Sequence, residues 1–467
     1  MAKKTSKENI KTSLLKMQNY TRTVQILFVG IFLLACLPVH SQTKDSVEYN
    51  VKKMQWFKDA KLGIFIHWGL YAVDGIDESW SFFNGYISHQ DYLKQTKGFT
   101  AKNYNPEGWA ELIKKSGAKY SVITSKHHDG FALWNTKYGN LNSVKGAAAK
   151  KDVLTPFVKA LRKNNLKVGI YYSLPDWSYA DYTHFIRDSI RYEIDKQPNR
   201  WNKFLNYYQG QLKELSENYN PDLYWFDGDW EHTSEEWQAP QVRKMLLDKN
   251  SNTILNSRLK DQGDYATPEQ GMPITRPKSK YWELCMTMNN SWGFQKNDKE
   301  YKTTNQVIGI FADVIGNGGN LLLDIGPKGD GSIPKEQIEI MEGLGKWTNK
   351  HKEAIYGTIA GIPKEHFYGP TTLSKDKKLL YLFIKGNPRG EVVVRGLKNK
   401  INRIWVVGQG SKLQHKVVGK VYWSHYPGIT YINVPEHVLD DQMTVLALLL
   451  DGEVDLYRED GAVIESN

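Results

Sequence analysis

The sequence predicts an α/β protein: a (β/α)8-like TIM barrel followed by a small antiparallel β-sandwich domain. Three observations carry this. From about Val51 to Tyr356 short apolar runs alternate with amphipathic stretches, the pattern of repeated βα units. Polar and aromatic motifs gather where those runs end, and the C-terminal strand ends are where such barrels carry their active sites. Beyond about Gly357 the texture changes to short β-type runs separated by turns.

The candidate barrel strands are Leu62 to His67, Tyr120 to Ser125, Val168 to Tyr172, Leu223 to Asp227, Thr253 to Asn256, Tyr281 to Met286 and Leu321 to Ile325. Several are nearly continuous apolar runs, as parallel strands covered on both faces require. Between them, apolar residues recur at helical spacing: Val153, Leu154, Phe157, Val158 and Leu161; Phe204, Leu205, Tyr208, Leu212 and Leu215; Val307, Ile310, Phe311 and Val314. Pro334 is expected to open a further helix through Trp347, where a missing N–H costs nothing. A doubly wound sheet is the competing fold, but no Gly-rich phosphate loop follows the first strand. The C-terminal strands are read at Leu379 to Ile384, Glu391 to Val394, Ile404 to Val407, Tyr431 to Val434 and Met443 to Leu450.

The first 41 residues read as an export signal, with a basic stretch ending at Arg22, an apolar run from Val24 to Leu37, and cleavage expected after Ser41. Leu34-Ala35-Cys36 also fits a lipoprotein signal, with anchoring through Cys36. The expected organisation is therefore a signal peptide over 1–41, a catalytic barrel over 42–356 and a β-sandwich over 357–467, in a periplasmic or extracellular protein. Of the formal charge of +11, residues 1–41 supply six basic residues and one acidic, so the mature chain falls to +6. No dense Lys/Arg stripe tracks a phosphate backbone, so nucleic acid is not expected as a partner. Cys285 is the one Cys after the signal, so no internal disulfide is expected and stability rests on core burial. Nothing predicts oligomeric state.

Hydrolysing a glycoside with retention needs two carboxyl groups about 5 to 5.5 Å apart, one a nucleophile and the other an acid. Asp227 ends the apolar strand Leu223-Tyr224-Trp225-Phe226, which delivers it to the barrel mouth, and Gly228 leaves room for a ligand. Asp229 is the expected helix cap. For the partner acid two residues stand out. Glu269 follows Pro268 on what reads as a mobile loop. Glu283 lies beside Trp282, which could desolvate it and raise its pKa. His127-His128-Asp129 has no HxxxH, HExxH or second Cys/His cluster beside it, so neither metal nor other cofactor is expected. Neutral imidazoles at a barrel mouth more naturally hydrogen-bond sugar hydroxyls.

Taken in order, seven pieces resemble the α-L-fucosidases of glycoside hydrolase family 29: Trp56 to Gly69, Lys126 to Phe131, Tyr171 to Ser173, Trp225 to Asp227, Asn256 to Arg258, Tyr281 to Cys285, and Asn320 to Pro327. That resemblance implies a retaining double displacement on terminal α-L-fucose of a fucosylated oligosaccharide or glycoconjugate. It matches Asp227 to the nucleophile and His67, His127, His128, Tyr172, Trp225 and Arg258 to positions that hold fucose hydroxyls or line its pocket. An acidic residue near a Trp in the first long βα loop also helps bind the sugar in the family. Here Asp77-Glu78-Ser79-Trp80 offers Glu78 and Trp80, with a Ser between them as a departure. The family's acid/base varies in the loop that supplies it, and the choice lies between Glu269 and Glu283, with loop position favouring Glu269. The alternative function is a catalytically inactive fucose-binding or adhesion protein of the same fold, against which the pair of carboxyls argues.

Overall fold

The computed structural model describes residues 44–458 apart from Arg276 and Ser424. The proposed signal, including Cys36, lies outside the described residues.

Seven parallel strands curl into one sheet: β1 (Leu62–Ile66), β2 (Tyr120–Lys126), β3 (Lys167–Ser173), β6 (Leu223–Asp227), β7 (Ile254–Leu255), β8 (Glu283–Thr287) and β9 (Asn320–Ile325), with a small hairpin, β4 (His184–Ile186) and β5 (Ser189–Ile190), inserted after β3. The order β7-β6-β3-β2-β1-β9-β8 leaves β7 and β8 as the two edges. The ring closes between them through residues 265–269. Parallel bridges pair Asn256 with Tyr265, Ala266 with Trp282 and Glu269 with Cys285. This eighth stave is irregular because Pro268 has no N–H to donate, although its carbonyl still accepts from Cys285. Glu269 therefore stands at the end of a stave, not on a free loop. The stave escaped the sequence because Tyr-Ala-Thr-Pro-Glu-Gln has neither an apolar run nor alternation.

Two separate apolar clusters show which way each strand residue points. Phe65, Tyr120, Val122, Tyr171, Leu223, Trp225, Cys285 and Leu322 fill the barrel interior, joined by Met54 and Phe57 of the helix Lys44–Ala60. Ile64, Ile123, Ile170, Tyr172, Tyr224 and Phe226 lie in the outer cluster, which includes residues of the surrounding helices. The period of two along a strand decides the difference.

The helices form where apolar spacing placed them: Leu154–Lys163, Pro198–Tyr219 and Thr304–Gly316, the last opened by a Thr303/Gln306 capping box. Pro334 is the residue before the helix Lys335–Lys350, in extended backbone (φ −54°, ψ 140°), and so not its first residue.

The C-terminal region holds a five-stranded sheet of β10 (Ile359–Ala360), β11 (Thr371–Leu373), β12 (Leu379–Ile384), β14 (Ile401–Val406) and β17 (Thr444–Leu450), and a three-stranded sheet of β13 (Gly390–Arg395), β15 (His415–Val418) and β16 (Ile429–Val434). Leu380, Leu382, Leu446 and Leu448 from the first sheet share a core with Val392, Val394, Ile432 and Val434 from the second, which makes a sandwich. The alternate residues Tyr381, Phe383, Val445 and Ala447 belong to the barrel's outer cluster, so the five-stranded sheet also packs on the barrel. Trp347 Nε1 donates to the Met443 carbonyl across that contact at 2.8 Å.

Candidate active site

At the C-terminal end of the barrel a pocket of about 160 Å³ is lined by Phe65, His67, Glu78, Trp80, His127, Tyr171, Trp225, Asp227, Trp230, Arg258, Glu269 and Trp292. A larger cleft, about 470 Å³, lies on the outside between helices 106–115 and 335–350, lined by five lysines with Glu342 as its one carboxylate. It holds no pair of acids, whereas the smaller pocket brings Glu78, Asp227 and Glu269 together at the strand ends.

Asp227 ends β6 and is nearly buried. Its Oδ1 accepts from Arg258 Nη1 at 3.0 Å and its Oδ2 accepts from the Tyr171 hydroxyl at 2.9 Å. The other end of the same guanidinium, Nη2, donates to Glu269 Oε2 at 2.6 Å. Two carboxylates from different staves thus stand one guanidinium apart. Arg258 is fixed from behind, with Nε donating to Thr267 Oγ1 at 3.1 Å and its planar head over the Trp225 ring at 4.5 Å.

Around this pair the wall is aromatic and neutral. His67 Nδ1 lies 2.7 Å from Asp324 Oδ1, and burial pushes that imidazole well below its ordinary range and that carboxyl well above. His127 Nδ1 lies 2.6 Å from Ser79 Oγ. That hydroxyl already accepts from the Asp129 N–H at 2.8 Å, so donating its own proton to His127 satisfies it. The other ring nitrogen of His127 is then an N–H donor. Burial holds His127 and His128 well below their ordinary range as well, so these rings offer hydrogen bonds without charge. Glu78 accepts from the Gly293 N–H, and burial pushes its carboxyl up to about 7. Both Glu78 and Trp80 reach the pocket despite the Ser between them. Ser79 uses that position to hold His127.

Four expectations change. Tyr172 is not in the pocket. Its hydroxyl donates to Gln211 at 2.7 Å, within the helix Pro198–Tyr219, because Tyr172 falls on the outer face of β3. The pocket Tyr is Tyr171, paired in register with Trp225, and its ring stacks on His127 at 5.5 Å. Glu283 is not in the pocket either. As the first residue of β8 it sits at the lower end of the barrel, fully buried, accepting from the Tyr120 hydroxyl and from Trp225 Nε1 at 3.0 Å. Burial does push its carboxyl up to about 7, but it lies beneath the indole that forms the pocket floor. His128 does not line the pocket. Its Nδ1 lies 2.6 Å from Ser173 Oγ, and its Nε2 is 3.7 Å from Asp227 Oδ2, so it backs the carboxylate. Asp229 caps no helix. Its Oδ2 accepts from the Lys260 N–H at 2.9 Å and ties the β6 turn to the loop that carries Arg258.

Gly228 is required for a different reason than ligand access. Its backbone is left-handed (φ +82°), and a Cβ there would lie 2.2 Å from Pro175 Cδ. The pocket also contains Phe65, Trp230 and Trp292, which no motif reading singled out. Their signal was an aromatic residue within a few positions of a strand's C-terminal end.

A family model described as alpha-L-fucosidase matches residues 38–353. Among similar proteins, an alpha-L-fucosidase of Branchiostoma floridae is 33% identical over 368 residues, covering 71% of this chain and 79% of that protein. Among solved structures, alpha-L-fucosidase isoenzyme 1 from Paenibacillus thiaminolyticus superposes with a TM-score of 0.78 at 30% identity, over 86% of this chain and 100% of that one. A GH29 alpha-L-fucosidase from Bacteroides thetaiotaomicron, trapped as a covalent intermediate with 2-fluoro-fucosyl fluoride, has a TM-score of 0.75 at 27% identity, over 86% of this chain and 96% of that one.

Proposed function

The chain belongs to the alpha-L-fucosidase family, glycoside hydrolase family 29, and on that footing we propose that it removes terminal α-L-fucose from fucosylated glycans with retention, Asp227 acting as nucleophile and Glu269 as acid/base. The observation that carries the assignment is the shared guanidinium of Arg258, which holds the two carboxylates of different staves side by side. Retaining glycosidases need such a pair about 5 to 5.5 Å apart.

In this reading an Asp227 oxygen attacks the anomeric carbon of fucose opposite the leaving group. Glu269 gives a proton to the glycosidic oxygen, the bond to the aglycone breaks, and a β-linked fucosyl-Asp227 ester forms. Glu269, now a carboxylate, takes a proton from water. The water oxygen attacks the anomeric carbon, the ester breaks, and α-L-fucose leaves. Tyr171 and Arg258 aim Asp227 through two hydrogen bonds to separate oxygens. The neutral His67 and His127, with Glu78, offer donors and acceptors to the ring hydroxyls. The small pocket, about 160 Å³, suits one terminal sugar and an exo mode of action. A pocket built only for binding has no use for an acid beside a nucleophile, which disfavours the inactive reading.

Proton NMR of a fucoside being hydrolysed tests the proposal. α-L-Fucose should appear first and mutarotate afterwards. β-L-Fucose appearing first would exclude the double displacement. Tyr171→Phe removes one hydrogen bond to a charged acceptor and should lower kcat/KM on an aryl fucoside by about ten- to a hundredfold. Tyr172→Phe should leave kcat/KM within about twofold and cost roughly 1 kcal/mol in stability, read by denaturant unfolding. The reverse ranking would restore Tyr172 to the site.

Export is part of the same proposal, supported by the basic stretch and apolar run of residues 1–41. No helix among the described residues is long and apolar enough to cross a membrane. N-terminal sequencing of the processed protein should begin at Gln42. A lipid-modified N-terminus at Cys36 would favour the anchored form, and an intact residue 1 would exclude both.

A further inference from the structure

The pocket divides by depth. His67, His127, Tyr171 and Trp225 are buried, whereas Trp230 and Glu269 stand at the rim, the Trp230 residue 50% and the Glu269 side chain 39% exposed. An exo enzyme fills such a floor with the terminal sugar, so the remainder of the substrate leaves past the rim. The acid must sit beside the bond to be broken, which makes the rim with Glu269 the leaving-group side.

Trp230 is half-exposed, although burying an indole is favourable and a Trp that served the core would be covered. Its backbone has little freedom. Trp230 is the middle residue of a 3-10 turn, Asp229–Glu231, tied on both sides. Before it, the Asp229 carboxylate accepts from the Lys260 N–H and the Asp229 carbonyl accepts from Trp237 Nε1 at 3.0 Å. After it, Glu231 accepts from Trp177 Nε1 at 3.0 Å and from the Tyr182 hydroxyl. The ring itself lies nearly parallel to Trp80, 16° between planes at 6.4 Å, with the His128 ring edge-on at 5.9 Å. The turn thus presents a rigid apolar surface at the mouth of the pocket.

Resting on the hydrolase reading above, we propose that Trp230 is a platform for the sugar unit attached to the fucose, and that the enzyme is built for glycans whose penultimate residue offers a flat apolar C–H face to this indole. The ordering entropy of the platform is already spent in the free protein, so stacking is realised as affinity.

The test compares two substrates. α-L-Fucosyl fluoride has no sugar aglycone, whereas a fucosylated disaccharide has one. In Trp230→Ala, kcat/KM on the disaccharide should fall about tenfold or more beyond any loss on the fluoride, and Trp230→Phe should recover most of that difference. Equal loss on both substrates would overturn the proposal, since Trp230 would then serve the fucose ring or the integrity of the site. No loss on the disaccharide would overturn it too. The underlying reading fails separately, when the unaltered protein releases no fluoride from fucosyl fluoride.

Discussion

Replacing Asp227 with Ala should lower kcat by about 10⁴-fold or more while the protein still folds, because the group that forms the covalent bond is gone and nothing nearby can take over its position. His128 Nε2 is 3.7 Å from the carboxylate but on a buried ring fixed by Ser173, and Glu269 stays paired with Arg258 on the leaving-group side. The vacated space should admit a small anion. Azide added to the Asp227→Ala enzyme should restore turnover of a substrate with a good leaving group and give β-fucosyl azide, attack having come from the side where the carboxylate stood. Rescue with an α product would instead identify Asp227 as the acid/base.

Glu269→Ala should lower turnover of natural linkages by about 10²- to 10⁴-fold, the range of general acid–base catalysis. The loss should shrink on fucosyl fluoride, whose departure needs little protonation, and azide should yield the α-fucosyl product by attacking the fucosyl-Asp227 ester. Glu283→Ala should behave otherwise. It strands two buried donors, the Tyr120 hydroxyl and Trp225 Nε1, each at about 1 to 3 kcal/mol, and leaves a cavity under the pocket floor. Its signature is reduced stability in denaturant unfolding, with any activity loss equal for good and poor leaving groups. A leaving-group dependence in Glu283→Ala and none in Glu269→Ala would reverse the assignment.

Much of this was legible in the sequence. Seven strands are legible, several of them as nearly continuous apolar runs, and the motifs at their ends place Asp227, His67 and His127 at one mouth. The face of each strand was harder. β3 is buried on both sides, so Tyr171 and Tyr172 look alike along the chain, and only pairing with β6 puts Tyr171 inside. Depth along the barrel was equally hidden. A desolvated Glu beside Trp282 met the expectation for an acid, yet Glu283 begins its strand, and the first residue of a barrel strand lies at the end opposite the active site. The eighth stave carries no signal because Tyr265 to Gln270 has neither an apolar run nor alternation, and its ladder consists of isolated bridges around Pro268. Trp292 and Gly293, which cover His67 and hold Glu78, follow β8 in a loop whose pairing with the distant 77–80 segment no local pattern encodes.

The central claim, a fucosyl ester on Asp227, is open to direct measurement. Incubating the purified protein with 2-fluoro-fucosyl fluoride should raise its intact mass by one 2-fluoro-fucosyl group, and peptide mapping should find that group within Leu223–Asp227, on Asp227. Label on Glu269 or any other residue, or steady turnover with first-formed β-L-fucose and no adduct, would contradict the account.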